Sequence, residues 1–258
     1  MFVDTHSHLN FKAFDQDRDE VIKRTLKQGV FMINVGSDYE TSRLAVEIAE
    51  KYEKGVWAAV ALHPIHIKDE KFDYEKYKKL AMSSKKVVAI GETGLDAMYP
   101  NPEQEKIFLE HLKLAKELDL PVILHCRKAH KEMIQDLKLK VQDFQIRGVV
   151  HCFTGRWSEA KQYLDMGLYL GFNGIIFKFD VAETIKKMSL ERILIETDCP
   201  YLTPPLPAEG HRAKAGADVR NEPLFVKYIA QRIAEIRGVP LDEIAQATTQ
   251  NAKRLFKI

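Results

Sequence analysis

The chain has 258 residues, 45% hydrophobic and 29% charged, with 39 basic and 37 acidic side chains for a net charge of +2. That composition supplies one large core, and its net charge is too small to recruit nucleic acid or a membrane surface by field alone. The longest apolar runs are about seven residues against the ~20 of a spanning helix, and Asp4 and His6 break the stretch where a signal peptide needs continuity.

In chain order, strands are expected at residues 2–8, 30–36, 56–63, 87–92, 121–125, 148–151, 168–172 and 192–198. Most are apolar at nearly every position, as parallel strands covered on both faces are. Amphipathic stretches lie between them. In residues 103–119, Ile107, Leu109, Leu112, Leu114, Ala115 and Leu118 recur at helical spacing, with Asn101 and Pro102 as cap and first helical residue. Two more helices are expected at 222–237 and 241–256. Successive strand ends fall roughly 21 to 33 residues apart, the length of one βα unit. Eight such units in one chain make a single (β/α)8 TIM barrel over residues 1–258, with extra C-terminal helices. Residues 199–221, rich in Pro and Gly, read as a stiff loop on the catalytic face.

A strand buried on both sides should not carry His, Asp or Glu without cause. Here such residues collect at strand C-termini, the edge where barrel active sites lie: His6, His8, His63, Glu92, His125, His151 and Asp198. His6 and His8 flank Ser7, and alternation turns both imidazoles to one face. A catalytic zinc commonly takes three protein ligands. Six candidates (His6, His8, Glu92, His125, His151, Asp198) suit two divalent ions sharing a carboxylate. The mixed imidazole and carboxylate set fits Zn or Mn, and Mg where oxygens dominate. In an open sheet strands one and eight would lie about 34 Å apart; in a barrel they are neighbours and can share an ion. Cys126, Cys152 and Cys199 each follow a candidate ligand, so alternation turns them away from the centre as small buried side chains. Their odd number and the lack of a CxxC argue against a disulfide framework. No GxSxG, GxGxxG or GxxxxGK[ST] occurs, so serine hydrolase, dinucleotide and P-loop chemistry lack their signatures.

Over nearly its whole length the chain resembles the TatD family of metal-dependent nucleases, within the amidohydrolase-like barrels. The resemblance rests on Phe-Val-Asp-Thr-His-Ser-His-Leu at the start, Leu-His-Pro-Ile-His at 62–66 and Ile-Gly-Glu-Thr-Gly-Leu-Asp at 90–96. It continues in Pro-Val-Ile-Leu-His-Cys-Arg at 121–127, Gly-Val-Val-His-Cys-Phe-Thr-Gly at 148–155, Ile-Glu-Thr-Asp-Cys-Pro-Tyr-Leu at 195–202 and Arg-Asn-Glu-Pro at 220–223. The resemblance implies a cytoplasmic enzyme that hydrolyses phosphodiesters in DNA, often from the 3′ end, with RNA as the alternative substrate. It implies His6, His8, Glu92 and Asp198 around one ion and Glu92, His125 and His151 around the other, with His63 beside them and Asp4 and Glu196 supporting. Asp198 is the expected proton acceptor for the attacking water, and His63 the group facing the leaving oxygen. Arg127, on the face of His125, is expected to grip a phosphate oxygen, and Arg220 and Asn221 to contact substrate. His211, Arg212, Lys214 and Arg220 give the long loop a local basic character, and Tyr99, Trp157 and Tyr201 lie where they could stack a base or pack under loops. No membrane or obligatory protein partner is expected, and the enzyme is read as a monomer.

The chain departs from the family pattern at Ala97-Met98, where an aromatic residue commonly follows Gly-Leu-Asp, at Lys128, where an acidic residue is frequent, and in a long 207–220 loop. All three bear on substrate contacts more than on the metal ligands. The same barrel hydrolysing a small-molecule amide, lactone or phosphoester is the alternative. Related barrels often bridge their metals with a modified lysine ending strand four, and here that strand ends in Glu92. A non-catalytic binding barrel is the third reading, opposed by the intact ligand set.

Overall fold

Residues 1–139, 146–206 and 219–258 are described by this computed structural model. Strands alternate with helices from the first residues: β1 (Phe2–Ser7), α1 (Arg18–Lys27), β2 (Val30–Val35), α2 (Tyr39–Glu50), β3 (Val56–Val60), α3 (Tyr74–Met82), β4 (Val87–Asp96), α4 (Gln104–Glu117) and β5 (Val122–Arg127). Then follow α5 (His130–Leu139), β6 (Gly148–Val150), α6 (Trp157–Asp165), β7 (Tyr169–Phe172), α7 (Ala182–Lys187), β8 (Ile193–Ile195), α8 (Val226–Arg237) and α9 (Leu241–Phe256). The strands pair in parallel in chain order, β1 to β8. The sheet curls until its two ends meet at a Ser7–Cys199 bridge. Two backbone bonds close that seam, Asp198 N–H to His6 O at 2.8 Å and His8 N–H to Cys199 O at 2.9 Å. This is the TIM barrel that the βα rhythm predicts.

The larger core lies between strands and helices, and a second core fills the barrel. Val3, Ile33, Val35, Ala59, Ala89, Ile123, Val149, Tyr169 and Leu194 make the inner one, with Ala252, Leu255 and Phe256 of α9 packed into it. Helix α9 therefore covers the mouth opposite the strand C-termini. Asn251 Nδ2 fixes it there by donating to Leu190 O and Ile193 O at 2.7 and 2.8 Å.

Counting by twos from these inward apolar residues gives the polar rim. Ala59 leads to His63, Ile123 to His125, Val149 to His151, and Leu194 to Glu196 and Asp198. For β1 and β4 the count fails, since Val3 to His6 and Ala89 to Glu92 are odd steps. Both strands carry an irregularity there. From Asp4 to Ser7, β1 advances three residues while β2 advances from Met32 to Asn34, and from Ile90 to Thr93, β4 does the same against Val122 to Leu124. An extra residue in one strand re-aims the side chains beyond it.

Several element bounds differ from expectation. Strand β4 runs on past Glu92 to Asp96, and β8 is regular only to Ile195, so Asp198 stands beyond it. Helix α4 starts at Gln104, not at Pro102, because Gln104 Oε1 accepts the Asp96 N–H at 2.8 Å, while Asn101 Oδ1 caps the turn before it through Glu103 N–H at 2.9 Å. Pro223–Phe225 form a short 3-10 turn ahead of α8, with Glu222 at its N-cap.

His111 on α4 is fully buried and used in one protonation state. Its Nδ1–H donates to Ile107 O at 2.8 Å and its Nε2 accepts from Leu62 N–H at 3.1 Å. Burial lowers its pKa from 6.5 to about 4. The unfolded chain takes up this proton first, so stability is intact above pH 6.5 and falls as pH drops from 6.5 toward about 4. The loss amounts to about 3 kcal/mol. In the metal-free protein, His111→Gln is expected to flatten the dependence of the urea midpoint on pH in that window; an unaltered slope would assign it to other groups.

Candidate metal centre

The end of β1 is held against β2 before any ion is considered. Ser7 Oγ donates to Ile33 O at 3.0 Å, and His8 Nδ1–H donates to Val35 O at 2.8 Å. That second bond leaves the His8 Nε2 lone pair facing inward, as a metal ligand needs. His8 Nε2 lies 3.1 Å from His6 Nε2 and 3.3 Å from Asp198 Oδ1. Asp198 takes the left-handed conformation (φ 58°) just past β8, a region costly for most residues but tolerated by Asp. The seam bond between its N–H and His6 O thus ties ligands from β1 and β8 to each other.

Glu92 sits between two groups of imidazoles. Its Oε2 lies 3.2 Å from His6 Nε2. Its Oε1 lies 2.7 Å from both His125 Nδ1 and His151 Nε2, and 3.3 Å from His63 Nε2. Ile65 N–H donates to His63 Nδ1 at 3.1 Å, which puts the His63 proton on Nε2, toward Glu92. Ligand atoms of His6, His8 and Asp198 converge within 4.8 Å of one another, as do those of His63, Glu92 and His125, and of His6, His151 and Glu196.

Further carboxylates and amides support this cluster. Glu196 Oε1 lies 3.2 Å from His151 Nδ1 and accepts from Cys152 N–H at 2.6 Å and Asn173 Nδ2 at 3.2 Å. A Cβ on Gly171 would stand 2.4 Å from Glu196 Oε2, so glycine makes room for this carboxylate. Asp4 accepts from His6 N–H at 3.2 Å and, on both oxygens, from Thr197. Asp96 Oδ2, 3.1 Å from His125 Nε2, was not singled out by sequence reasoning. The available signal was period two, since Glu92, Gly94 and Asp96 share a parity once β4 is allowed to continue.

The charges show what the cluster lacks. Burial would raise the Glu92 pKa, but the charges of His151, His63 and His6 hold it well below the usual carboxylate range. Burial would lower His151 and His125, yet Glu92 and Glu196 hold the first well above its usual value, and Asp96 and Glu92 raise the second. His6 and His63 go the other way, lowered chiefly by burial, His63 to about 4. Asp198 is lowered, against burial, by His8 and the neighbouring imidazole charges, and burial raises Asp4. The carboxylates thus favour the charged form of the His151 and His125 imidazoles against the opposing effect of burial. Divalent cations would meet the same demand through nitrogen and oxygen donors suited to them. Donor separations of 3.1 to 3.3 Å match the edges of a coordination shell with bonds of about 2.1 Å.

The remaining candidates are placed differently. Arg127 is exposed at the end of β5, close enough for its charge to lower Asp96. Arg220 and Asn221, expected at the substrate, have another task. Arg220 Nη2 pairs with Asp17 at 2.6 Å and Glu222 at 3.4 Å, its guanidinium lying 4.2 Å over Phe14. Asn221 is fully buried and donates to Thr197 O at 2.9 Å and to Tyr201 O, fastening the chain beyond β8. His211, Arg212 and Lys214 lie outside the described residues. Tyr99 and Tyr201 are exposed and Trp157 is half-buried. Cys126 and Cys199 are buried as expected, while Cys152 is half-buried.

Comparison with known proteins agrees with this geometry. Residues 3–257 match the family described as TatD related DNase. The chain is 40% identical over 265 residues to the uncharacterized metal-dependent hydrolase YabD of Bacillus subtilis, covering all of both. It is 35% identical to the 3′-5′ ssDNA/RNA exonuclease TatD of Erwinia tasmaniensis over 97% of this chain and 98% of that one. The crystal structure of YJJV, a TatD homolog from Escherichia coli, superposes with a TM-score of 0.86 at 31% identity, covering 100% of this chain and 98% of that one. The chain belongs to the TatD-related DNase family of metal-dependent hydrolases.

Proposed function

We propose that the protein is a 3′-to-5′ exonuclease that hydrolyses phosphodiester bonds in single-stranded DNA, with RNA as a second substrate, using two divalent ions on either side of Glu92. The observation that carries this reading is the division of the Glu92 carboxylate, with Oε2 toward His6 and Oε1 toward His125 and His151. His6, His8 and Asp198 would hold one ion, and His125 and His151 the other. The polynucleotide substrate is suggested by the exonuclease name of the Erwinia relative.

Bound divalent ions, of which Mg, Mn or Zn suit these ligands, supply charge for the phosphate oxygens and an acidified water. Around them the protein supplies geometry and proton transfer. Asp198 takes a proton from the attacking water as the water oxygen bonds to phosphorus, and the proton returns to O3′ as the P–O3′ bond breaks, so the shortened strand leaves with a 3′-hydroxyl. His63, with its proton fixed on Nε2, can hydrogen-bond the departing oxygen. Arg127 is free to meet a non-bridging phosphate oxygen with its fork of donors. Action as a monomer in the cytoplasm belongs to the same reading. All candidate ligands come from one chain, and the free cysteines suit a reducing compartment. No helix among the described residues is long and apolar enough to cross a membrane.

The test is digestion of a 5′-labelled single-stranded 30-mer. The expected pattern is a ladder that shortens one nucleotide at a time, vanishes after chelation and returns with Mg or Mn. Full cleavage in chelator would remove the metal from the mechanism, and early internal fragments would overturn exonucleolytic action. Turnover of a small amide or lactone without any DNA cleavage would favour the small-molecule reading.

A further inference from the structure

An aromatic path leads out of the buried imidazole cluster. The Phe11 ring stacks on the His8 imidazole, with centroids 4.3 Å apart and planes 12° from parallel. The Tyr201 ring stands edge-on to Phe11 at 6.5 Å and is 57% exposed. Both rings are carried on main chain fastened to candidate ligands. Phe11 N–H donates to His8 O at 3.0 Å, and Tyr201 N–H donates to Asp198 O at 3.0 Å. The Tyr201 carbonyl is also held by the buried Asn221 amide. The backbone under Tyr201 is therefore fixed while its ring remains open to solvent.

Other exposed aromatics lack this connection. Tyr99 and Phe179 stand beyond β4 and β7 with no ring contact to a candidate ligand among the described residues. A single exposed aromatic residue is ordinary on any surface. One that continues a stack from a candidate ligand, on backbone bonded to a second ligand, is placed with respect to the reacting phosphate.

We propose that Phe11 and Tyr201 form a stacking step for the unpaired nucleobase that adjoins the scissile phosphate. The inference rests on the nuclease reading above and adds the side chains that receive the base. A phosphate at His8 and Asp198 leaves the neighbouring base beside these rings, and every base offers a π-face, so the step is tolerant of sequence. A base inside a duplex has both faces covered by its neighbours and its edge paired, so the step favours unpaired ends.

The experiment compares Tyr201→Ala and Tyr201→Trp with the unaltered protein on oligothymidylate, and on the same strand abasic at its last or penultimate nucleotide. Stacking of one base is worth about 1 to 3 kcal/mol, or about 5- to 150-fold in affinity. Tyr201→Ala should raise KM by that factor on the intact strand, and raise Kd equally by fluorescence anisotropy with metal-loaded protein and a cleavage-resistant phosphorothioate strand. Tyr201→Trp should stay near the parent. On one of the abasic strands the unaltered protein should bind as weakly as the alanine variant binds the intact strand, and the substitution should add no further loss. Equal losses on intact and abasic strands, or a tryptophan variant as weak as alanine, would overturn the step while leaving the nuclease reading standing. No cleavage of any strand by the unaltered protein would overturn both.

Discussion

Glu92→Gln is expected to lower strand hydrolysis by on the order of a thousandfold. The amide keeps the volume of the side chain but removes the charge that faces His6, His63, His125 and His151. Its NH2 group would also turn donors toward nitrogens that need an acceptor or a cation. Two measurements accompany the rate. Metal content by mass spectrometry should fall, since one side chain serves both groups. The His151 imidazole, held well above its usual pKa in part by Glu92, should titrate at lower pH by NMR in the metal-free variant. The sign follows from the loss of the anion, because burial, which opposes the charged imidazole, is then less countered. Activity within tenfold of the parent, with metal content unchanged, would exclude Glu92 as the shared ligand.

Asp198→Asn separates proton transfer from metal binding. The asparagine oxygen can still occupy the position of Oδ1, 3.3 Å from His8 Nε2, so part of the metal should be retained. What is lost is a group able to take a proton from water, and the expected fall in kcat is about 10²- to 10⁴-fold. Its signature is in the pH profile, where the part of the acidic limb that belongs to protonation of the Asp198 carboxylate should disappear. A few-fold effect, or an unaltered acidic limb, would hand the proton to another group.

The barrel was legible because most of the parallel strands are covered on both faces and read as apolar runs with polar residues at their C-terminal ends. Where strands stay regular, counting by twos from Ala59, Ile123, Val149 or Leu194 reaches the rim correctly. It fails in β1 and β4, whose extra residues at Asp4–Ser7 and Ile90–Thr93 turn His6 and Glu92 toward the centre against parity. Such an insertion is a relation between two strands, and neither strand alone records it. His6 and His8 both lie at the irregular end of β1, where their Nε2 atoms come within 3.1 Å of each other. Asp96 escapes the sequence reading for a related reason, since an apolar run that meets a carboxylate marks a strand end at Glu92, whereas β4 continues to Asp96. Arg220 shows what a motif does not record. Its partner Asp17 is 203 positions away, so a motif residue that looks free to meet substrate is in fact paired within the protein.

The seam between β1 and β8 also sets the timing of assembly. His6 and His8 leave the ribosome early and Asp198 late, so the nascent chain carries one half of a chelating set through most of its synthesis. Only when the last strand docks beside the first do donors from both ends face each other. A cation that binds only the finished ring would add RT ln(1 + [L]/Kd) to its stability, beside the backbone bonds, the Asp4–Thr197 bonds and the α9 packing that already close the circle.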